Sequence, residues 1–249
     1  MTRTEGVSAL LFDLDDTLLR NSMDEFLPAY FRALTESVAH VIPPERLISE
    51  LQKATAAMDA NDGSGPTNEE TFAKTFYPAI GLPEDEVAPL FERFYREEFP
   101  KLRRLTTRRP AARALMEWTR ERGLQVTIAT NPLFPRIAIE QRLAWAGVPV
   151  TDFAYDLVTT YENMHATKSH PMYYQEILDR LGRRSEECIM VGDHWSWDIA
   201  PAASLGIHTF WISNGADQPP EPGIDIVGHG SLSDLWTLVQ ENESLWQST

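Results

Sequence analysis

Val7-Ser8-Ala9-Leu10-Leu11-Phe12-Asp13-Leu14-Asp15-Asp16-Thr17-Leu18-Leu19 is an apolar run that breaks into three carboxylates within four positions. A short apolar run bounded by polar residues reads as a buried strand. Acids crowded at the exit of such a strand resist simultaneous ionisation, and burial adds a desolvation cost. One reading is a polar cap on the strand; the other is a cation site. Three acids exceed what a cap requires. The cation site is therefore preferred, placed at the carboxyl edge of a parallel sheet, where open α/β folds hold their ligands.

Downstream the pattern turns helical. Phe26, Tyr30, Phe31, Leu34, Val38 and Val41 share one helical face, and further helices carry Leu47 to Met58, Phe72 to Ile80 and Val87 to Tyr95. The loop Asp59-Ala60-Asn61-Asp62-Gly63-Ser64-Gly65-Pro66 separates two of them. Residues 21–100 thus read as helices only. After Pro110 a different unit repeats. Helices end at Gly123, Gly147, Gly182 and Gly206, and strands are expected at 124–129, 153–158, 188–191 and 207–212. Glycine closes a helix in the left-handed conformation without a Cβ penalty. The helix-glycine-strand rhythm predicts an α/β, doubly wound parallel (Rossmann-like) sheet. A short edge strand is expected at 224–227, a helix at 197–205, and a last helix from Ser233. Residues 1–20 and 101–249 are expected to form this core, interrupted after its first strand by an all-helical cap, residues 21–100.

Composition narrows the function. The net charge of -15 argues against nucleic acid and against an anionic membrane surface. From Arg20 to Pro100 there are 15 acids against 7 Lys and Arg, a net of -8, so the insert is a poor dock for polyanions. The basic Lys101-Leu102-Arg103-Arg104 and Arg108-Arg109 segments read as a solvated hinge, with attraction of an anionic substrate as the other reading. The single cysteine, Cys188, excludes an internal disulfide and a multi-cysteine metal site. No apolar run approaches a membrane span and the start lacks a signal-peptide shape, so a soluble cytoplasmic protein is expected.

Four strand ends or helix starts carry chemistry: Asp13, Asp15 and Thr17; Thr130-Asn131; Lys168; and Gly192-Asp193 with Asp198. In a doubly wound sheet these converge on one crevice. Carboxylates without a His or Cys cluster suit a hard, oxygen-liking cation such as Mg²⁺. A lysine and a Thr-Asn pair suit phosphoryl oxygens. The combination suits phosphoryl transfer, which needs a nucleophile, charge neutralisation and a proton donor. Trp195 and Trp197 read as packing, with stacking on a substrate ring as the alternative for Trp195. His165 and His170, which flank Lys168, have no assigned task.

Asp13-Leu14-Asp15-Asp16-Thr17-Leu18 resembles the DxDx[TV] signature of the haloacid dehalogenase-like superfamily. Thr130-Asn131, Lys168 and Gly192-Asp193 with Asp198 are similar to its second, third and fourth motifs. The insert resembles the helical cap of phosphoglycolate phosphatase-like members. Ser169-His170-Pro171 departs from the family's usual Lys-Pro, and only a local change in the turn is expected. The resemblance implies a Mg²⁺-dependent phosphatase of small phosphorylated metabolites. Asp13 is then the nucleophile that forms an aspartyl-phosphate, and Asp15 the acid and base. Lys168 offsets charge, and Thr130 and Asn131 bind phosphate. The metal falls to Asp13, the backbone carbonyl of Asp15, and Asp193, with Asp198 acting more weakly. Asp16 and Thr17 are left as turn residues. A phosphomutase of the same fold is the alternative; a dehalogenase or a non-catalytic binding protein of this fold fits less well, because Asp15 and every metal aspartate are present. The protein is expected to act as a monomer or homodimer.

Overall fold

The computed structural model describes residues 6–215, 217–220 and 223–241. The chain ends that the sequence assigns to the core, 1–5 and 242–249, lie outside the described residues. The centre is a six-stranded, all-parallel sheet. Its strands are β1 (Ala9–Phe12), β4 (Gln125–Ile128), β5 (Leu157–Val158), β6 (Cys188–Gly192), β7 (His208–Ile212) and β8 (Gly228–Gly230). They lie in the order β5-β4-β1-β6-β7-β8. β1 sits between β4 and β6, and the chain builds outward from it on both sides. The carboxyl end of β1 is therefore the topological switch point, the ligand position of such sheets.

A strand covered on both faces reads as a continuous apolar run, and all four β1 residues are buried. Leu10 and Phe12 pack into one apolar cluster with the helical insert. Ala9 and Leu11 pack on the opposite face with Tyr173, Tyr174 and Ile177. The helices that alternate with the strands are α5 (Pro110–Glu121), α6 (Arg136–Ala146), α7 (Pro171–Leu181), the short α8 (Ala200–Ser204) and α9 (Leu232–Glu241). The four expected glycines all take positive φ, from 63° to 85°.

Between β1 and α5 the chain forms α1 (Met23–Val38), α2 (Pro44–Asp59), α3 (Asn68–Ile80), α4 (Glu84–Glu97) and a 3₁₀ helix at Phe99–Leu105. The insert thus continues past Pro100. Its two ends meet in an antiparallel ribbon, β2 (Leu19–Arg20) with β3 (Thr107–Arg108). An aromatic seam seats it on the core: Tyr30 lies edge-on to Phe94, Phe99 and Phe134, and Phe99 stacks on Trp145 at 5.3 Å. Among the described residues no helix is long and apolar enough to cross a membrane.

Three local expectations change. The strand expected at 153–158 pairs only at Leu157–Val158, because the Asp156 carboxylate itself accepts the Val126 amide at 2.8 Å. The edge strand expected at 224–227 forms at Gly228–Gly230 instead. Ile224 and Ile226 pack against the Trp195–Trp211 cluster, while Gly228 sits opposite Phe210, whose ring leaves no room for a Cβ without displacement. The helix expected at 197–205 begins earlier, as a π-helical turn over Trp195–Ile199.

Candidate active site

Asp13 follows β1 directly, its amide bonded to the Val191 carbonyl of β6. The side chain is buried, and its Oδ1 accepts the Lys168 ammonium at 2.5 Å. The same ammonium reaches Asp198 Oδ1 at 2.7 Å. Lys168 is 2% exposed, so this is a buried triad of two carboxylates and one cation. The two carboxylates hold the ammonium protonated, its pKa well above the ordinary lysine value against the pull of burial.

Asp193, after β6, completes the group. Carboxylate oxygens of Asp13, Asp193 and Asp198 lie within 4.8 Å of one another. Burial, and then the charges of Asp13 and Asp198, push the Asp193 carboxyl up to about 8. Burial pushes Asp198 to about 6, with Lys168 opposing it. One lysine therefore leaves the cluster over-negative. Three hard oxygen ligands short of positive charge suit a hard divalent cation. Asp198 is engaged on both oxygens, by Lys168 and by the His194 amide at 2.9 Å, so it supports the cluster from behind. Thr17 donates to Asp193 Oδ1 at 3.4 Å and ties the first turn to the fourth motif.

The fourth motif depends on Gly192. A Cβ there would overlap the Asp198 side chain, so only glycine lets the carboxylate lie against the strand end. The π-helical turn, a feature frequent at functional sites, carries Asp198 inward. Trp195 is buried edge-on to Trp211 at 5.4 Å, which is the packing role. Trp197 is 45% exposed and stacks on His194 at 4.0 Å.

Asp15 occupies a different environment. Its Oδ2 pairs with the buried guanidinium of Arg142, and its Oδ1 accepts Asn21 Nδ2 at 2.8 Å. Burial raises its pKa, opposed by Arg142. Its side chain is turned to Arg142 and Asn21, and it is not among the carboxylates that group as Asp13, Asp193 and Asp198. Asp16 is the turn residue expected, with φ of 54°, a conformation aspartate tolerates better than most residues. Its Oδ1 accepts the Asn21 amide and its carbonyl accepts Arg109 at 2.7 Å. Lys101, Arg103, Arg104 and Arg108 are exposed, as a solvated hinge requires, while Arg109 is half-buried and clamps this turn.

Thr130 and Asn131 follow β4. The Thr130 carbonyl accepts from Thr159 and Tyr173, and Asn131 Oδ1 accepts the Lys168 amide at 3.3 Å. The second and third motifs are thus directly bonded. Ser169 and His170, the departure from Lys-Pro, dock the insert. Asp59 at the end of α2 accepts from Thr167 at 2.6 Å and Ser169 at 3.3 Å, and its carbonyl contacts His170 Nε2 at 2.7 Å. Asn68 adds bonds to the Pro132 and Ala166 carbonyls. His165 pairs with Glu176 at 2.9 Å, away from the acids.

Sequence reasoning missed Arg142. The signal was present: Ala138, Ile139, Arg142, Leu143 and Trp145 form the buried face of α6, and a charge on an apolar stripe asks for a partner. Asn21, just ahead of α1, is the second partner of Asp15.

A buried acidic cluster at the switch point of a parallel sheet, with a helical insert between the first strand and the rest, is the arrangement of an α/β ligand-binding fold. A family model for haloacid dehalogenase-like hydrolases matches residues 7–206, and the chain belongs to that family. It is 28% identical over 238 residues to a phosphoserine phosphatase of Thermus thermophilus, covering 86% of this chain and 91% of that one. It is 26% identical over 214 residues to a phosphoglycolate phosphatase of Rhodospirillum rubrum, covering 85% and 82%. Its fold is similar to a 2-haloacid dehalogenase from Pseudomonas syringae, with a TM-score of 0.65 at 20% identity over 94% of this chain and 99% of that one. Likeness to the named phosphatases supports a phosphoric monoester hydrolase.

Proposed function

We propose that the protein is a Mg²⁺-dependent phosphatase of small phosphorylated metabolites that works through an aspartyl-phosphate on Asp13. One observation carries this reading. Two carboxylates two residues apart occupy unlike environments, Asp13 on Lys168 beside the acidic cluster and Asp15 on Arg142 and Asn21. Carboxylates whose surroundings separate them in this way divide the roles of nucleophile and acid-base.

An Asp13 oxygen attacks phosphorus and the bond to the leaving oxygen breaks. Asp15 gives that oxygen its proton. It then takes a proton from the water that attacks the acyl phosphate, and the cycle returns Asp13 and inorganic phosphate. Lys168 holds Asp13 oriented and offsets charge on the phosphoryl group. Thr130 and Asn131 hold phosphoryl oxygens by hydrogen bonds. A divalent cation held by Asp13, Asp193 and the main-chain carbonyl of Asp15, with Asp198 behind, supplies the charge neutralisation that lets a carboxylate approach a phosphate. The insert, residues 21–100 in the sequence reading and extended here to Leu105, is the cap that shuts out bulk water.

The test is turnover of p-nitrophenyl phosphate with Mg²⁺. Asp13→Asn is expected to lose about 10³-fold or more in kcat. Asp15→Ala is expected to lose far more on an alkyl phosphate than on this aryl ester, whose leaving group needs little protonation. Near-normal turnover by Asp13→Asn refutes the mechanism.

A further inference from the structure

We infer that Arg142 binds an anionic group, a carboxylate or a second phosphate, on the leaving portion of the substrate, and so selects esters that carry one beside the ester oxygen. The inference rests on the phosphatase reading, which puts the leaving oxygen against Asp15. Arg142 is 1% exposed. Nη1 is taken by Asp15, Nε leans on the Ala138 carbonyl of its own helix at 3.4 Å, and the guanidinium lies over the Phe134 ring at 4.6 Å. Nη2 is buried and has no hydrogen-bond partner. Buried donors are almost always satisfied, and a guanidinium can only donate. On the other side of Asp15, Asn21 is 1% exposed, and its Oδ1 is also without a partner. The two residues that flank the acid-base group therefore each keep one unused polar atom facing no protein acceptor or donor.

The placement is specific to the leaving group. A carboxyl that protonates an ester oxygen sits about 3 Å from it. Arg142 bonds the same carboxyl, so its unclaimed Nη2 lies on the order of 6 Å from that oxygen. A substituent on the carbon next to the ester carbon spans that distance. The neighbouring Tyr30 and Tyr95 hydroxyls are bonded to each other at 2.8 Å, and neither accepts from Nη2. Phe134 and the buried aromatic seam exclude solvent, which keeps a charge-assisted bond there strong. Arginine is the side chain whose planar fork serves two acceptors at once, here Asp15 and the incoming anion.

The experiment compares matched esters on the full-length enzyme with Mg²⁺. Phosphoglycolate is set against ethyl phosphate, pyrophosphate against methyl phosphate, and p-nitrophenyl phosphate reports basal turnover. The wild type is expected to favour at least one anionic partner of a pair by tenfold or more in kcat/KM, and the pair that responds identifies carboxylate or phosphate. Arg142→Gln is expected to collapse that ratio to within about twofold, mainly through KM, and Arg142→Lys to restore part of it. A wild type with no preference in either pair overturns the inference without any variant. Equal losses on anionic and neutral esters in Arg142→Gln also overturn it, because Arg142 then only positions Asp15. Failure to turn over any ester, p-nitrophenyl phosphate included, instead refutes the phosphatase reading beneath it.

Discussion

Replacing Lys168 with methionine removes the single ammonium between Asp13 and Asp198 and keeps most of the side-chain volume. At 2.5 and 2.7 Å, Coulomb's law with an effective dielectric of about 20 gives roughly 6 kcal/mol for each contact. Withdrawing the ammonium from water offsets several kcal/mol of that sum. Removing one partner of a buried pair costs about 3–5 kcal/mol, because the charges left behind are uncompensated. For a chain of this size that is a fall in Tm of roughly 6–20 °C. The variant keeps Asp13, Asp193 and Asp198 together, now one positive charge short. A divalent cation then stabilises it more than it stabilises the wild type, since whatever binds only the folded state raises its stability. Calorimetry with EDTA and with millimolar Mg²⁺ measures both effects. A variant that melts within about 1 °C of the wild type in EDTA refutes the charge argument. Equal stabilisation of both proteins by Mg²⁺ refutes the assignment of the cation to this cluster.

Three further outcomes are expected. Gly192→Ala forces Asp198 off the strand end; overpacking of this kind costs about 1–3 kcal/mol, while turnover of p-nitrophenyl phosphate is expected to fall at least about tenfold, as misplacement at a reacting centre does. The metal-free protein is expected to lose stability as pH rises from about 4 to about 8. The sign follows from a folded-state carboxyl, Asp193, whose pKa lies above its ordinary value: the favourable protonated form is complete below the unfolded pKa and gone above the folded one. Saturating Mg²⁺ replaces those protons and flattens the dependence, and melts at each pH with and without the ion check both halves. Asp59→Ala removes the acceptor for Thr167 and Ser169; overall stability is expected to fall by roughly 1–3 kcal/mol, and cleavage of the 60–66 loop by a protease at limiting dose is expected to quicken. Unchanged cleavage would show that these bonds do not hold the insert down.

The acidic strand end was legible because its cost was legible: carboxylates after Leu10-Leu11-Phe12 need a compensating charge wherever the sheet puts them. Lys168 became legible through its place before a helix, and the structure bonds it to Asp13 and Asp198. The edge strands were not legible in detail. β5 is shortened by a side chain, Asp156, that takes a ladder amide. β8 begins on Gly228, a residue of little strand propensity, where an added Cβ would crowd the Phe210 ring at 3.0 Å. The partner of Asp15 was hidden for another reason. Arg142 comes from a helix more than a hundred residues away in sequence, and only the winding of α6 against the insert brings it to the first turn. Sequence patterning states that a buried arginine wants an acid; it does not say which one.

The β2–β3 ribbon has a consequence for how such a chain diversifies. Leu19 stands opposite Arg108 and Arg20 opposite Thr107, so the entrance and exit of the helical insert are neighbours. Closing a long excursion costs little more than closing a short one once its ends are pinned side by side. The sheet and its acids then impose one condition on whatever segment lies above them, that it begin and end at this ribbon. Helices can be lengthened, shortened or exchanged there as a cassette, while β1 and its aspartates remain in register with β4 and β6.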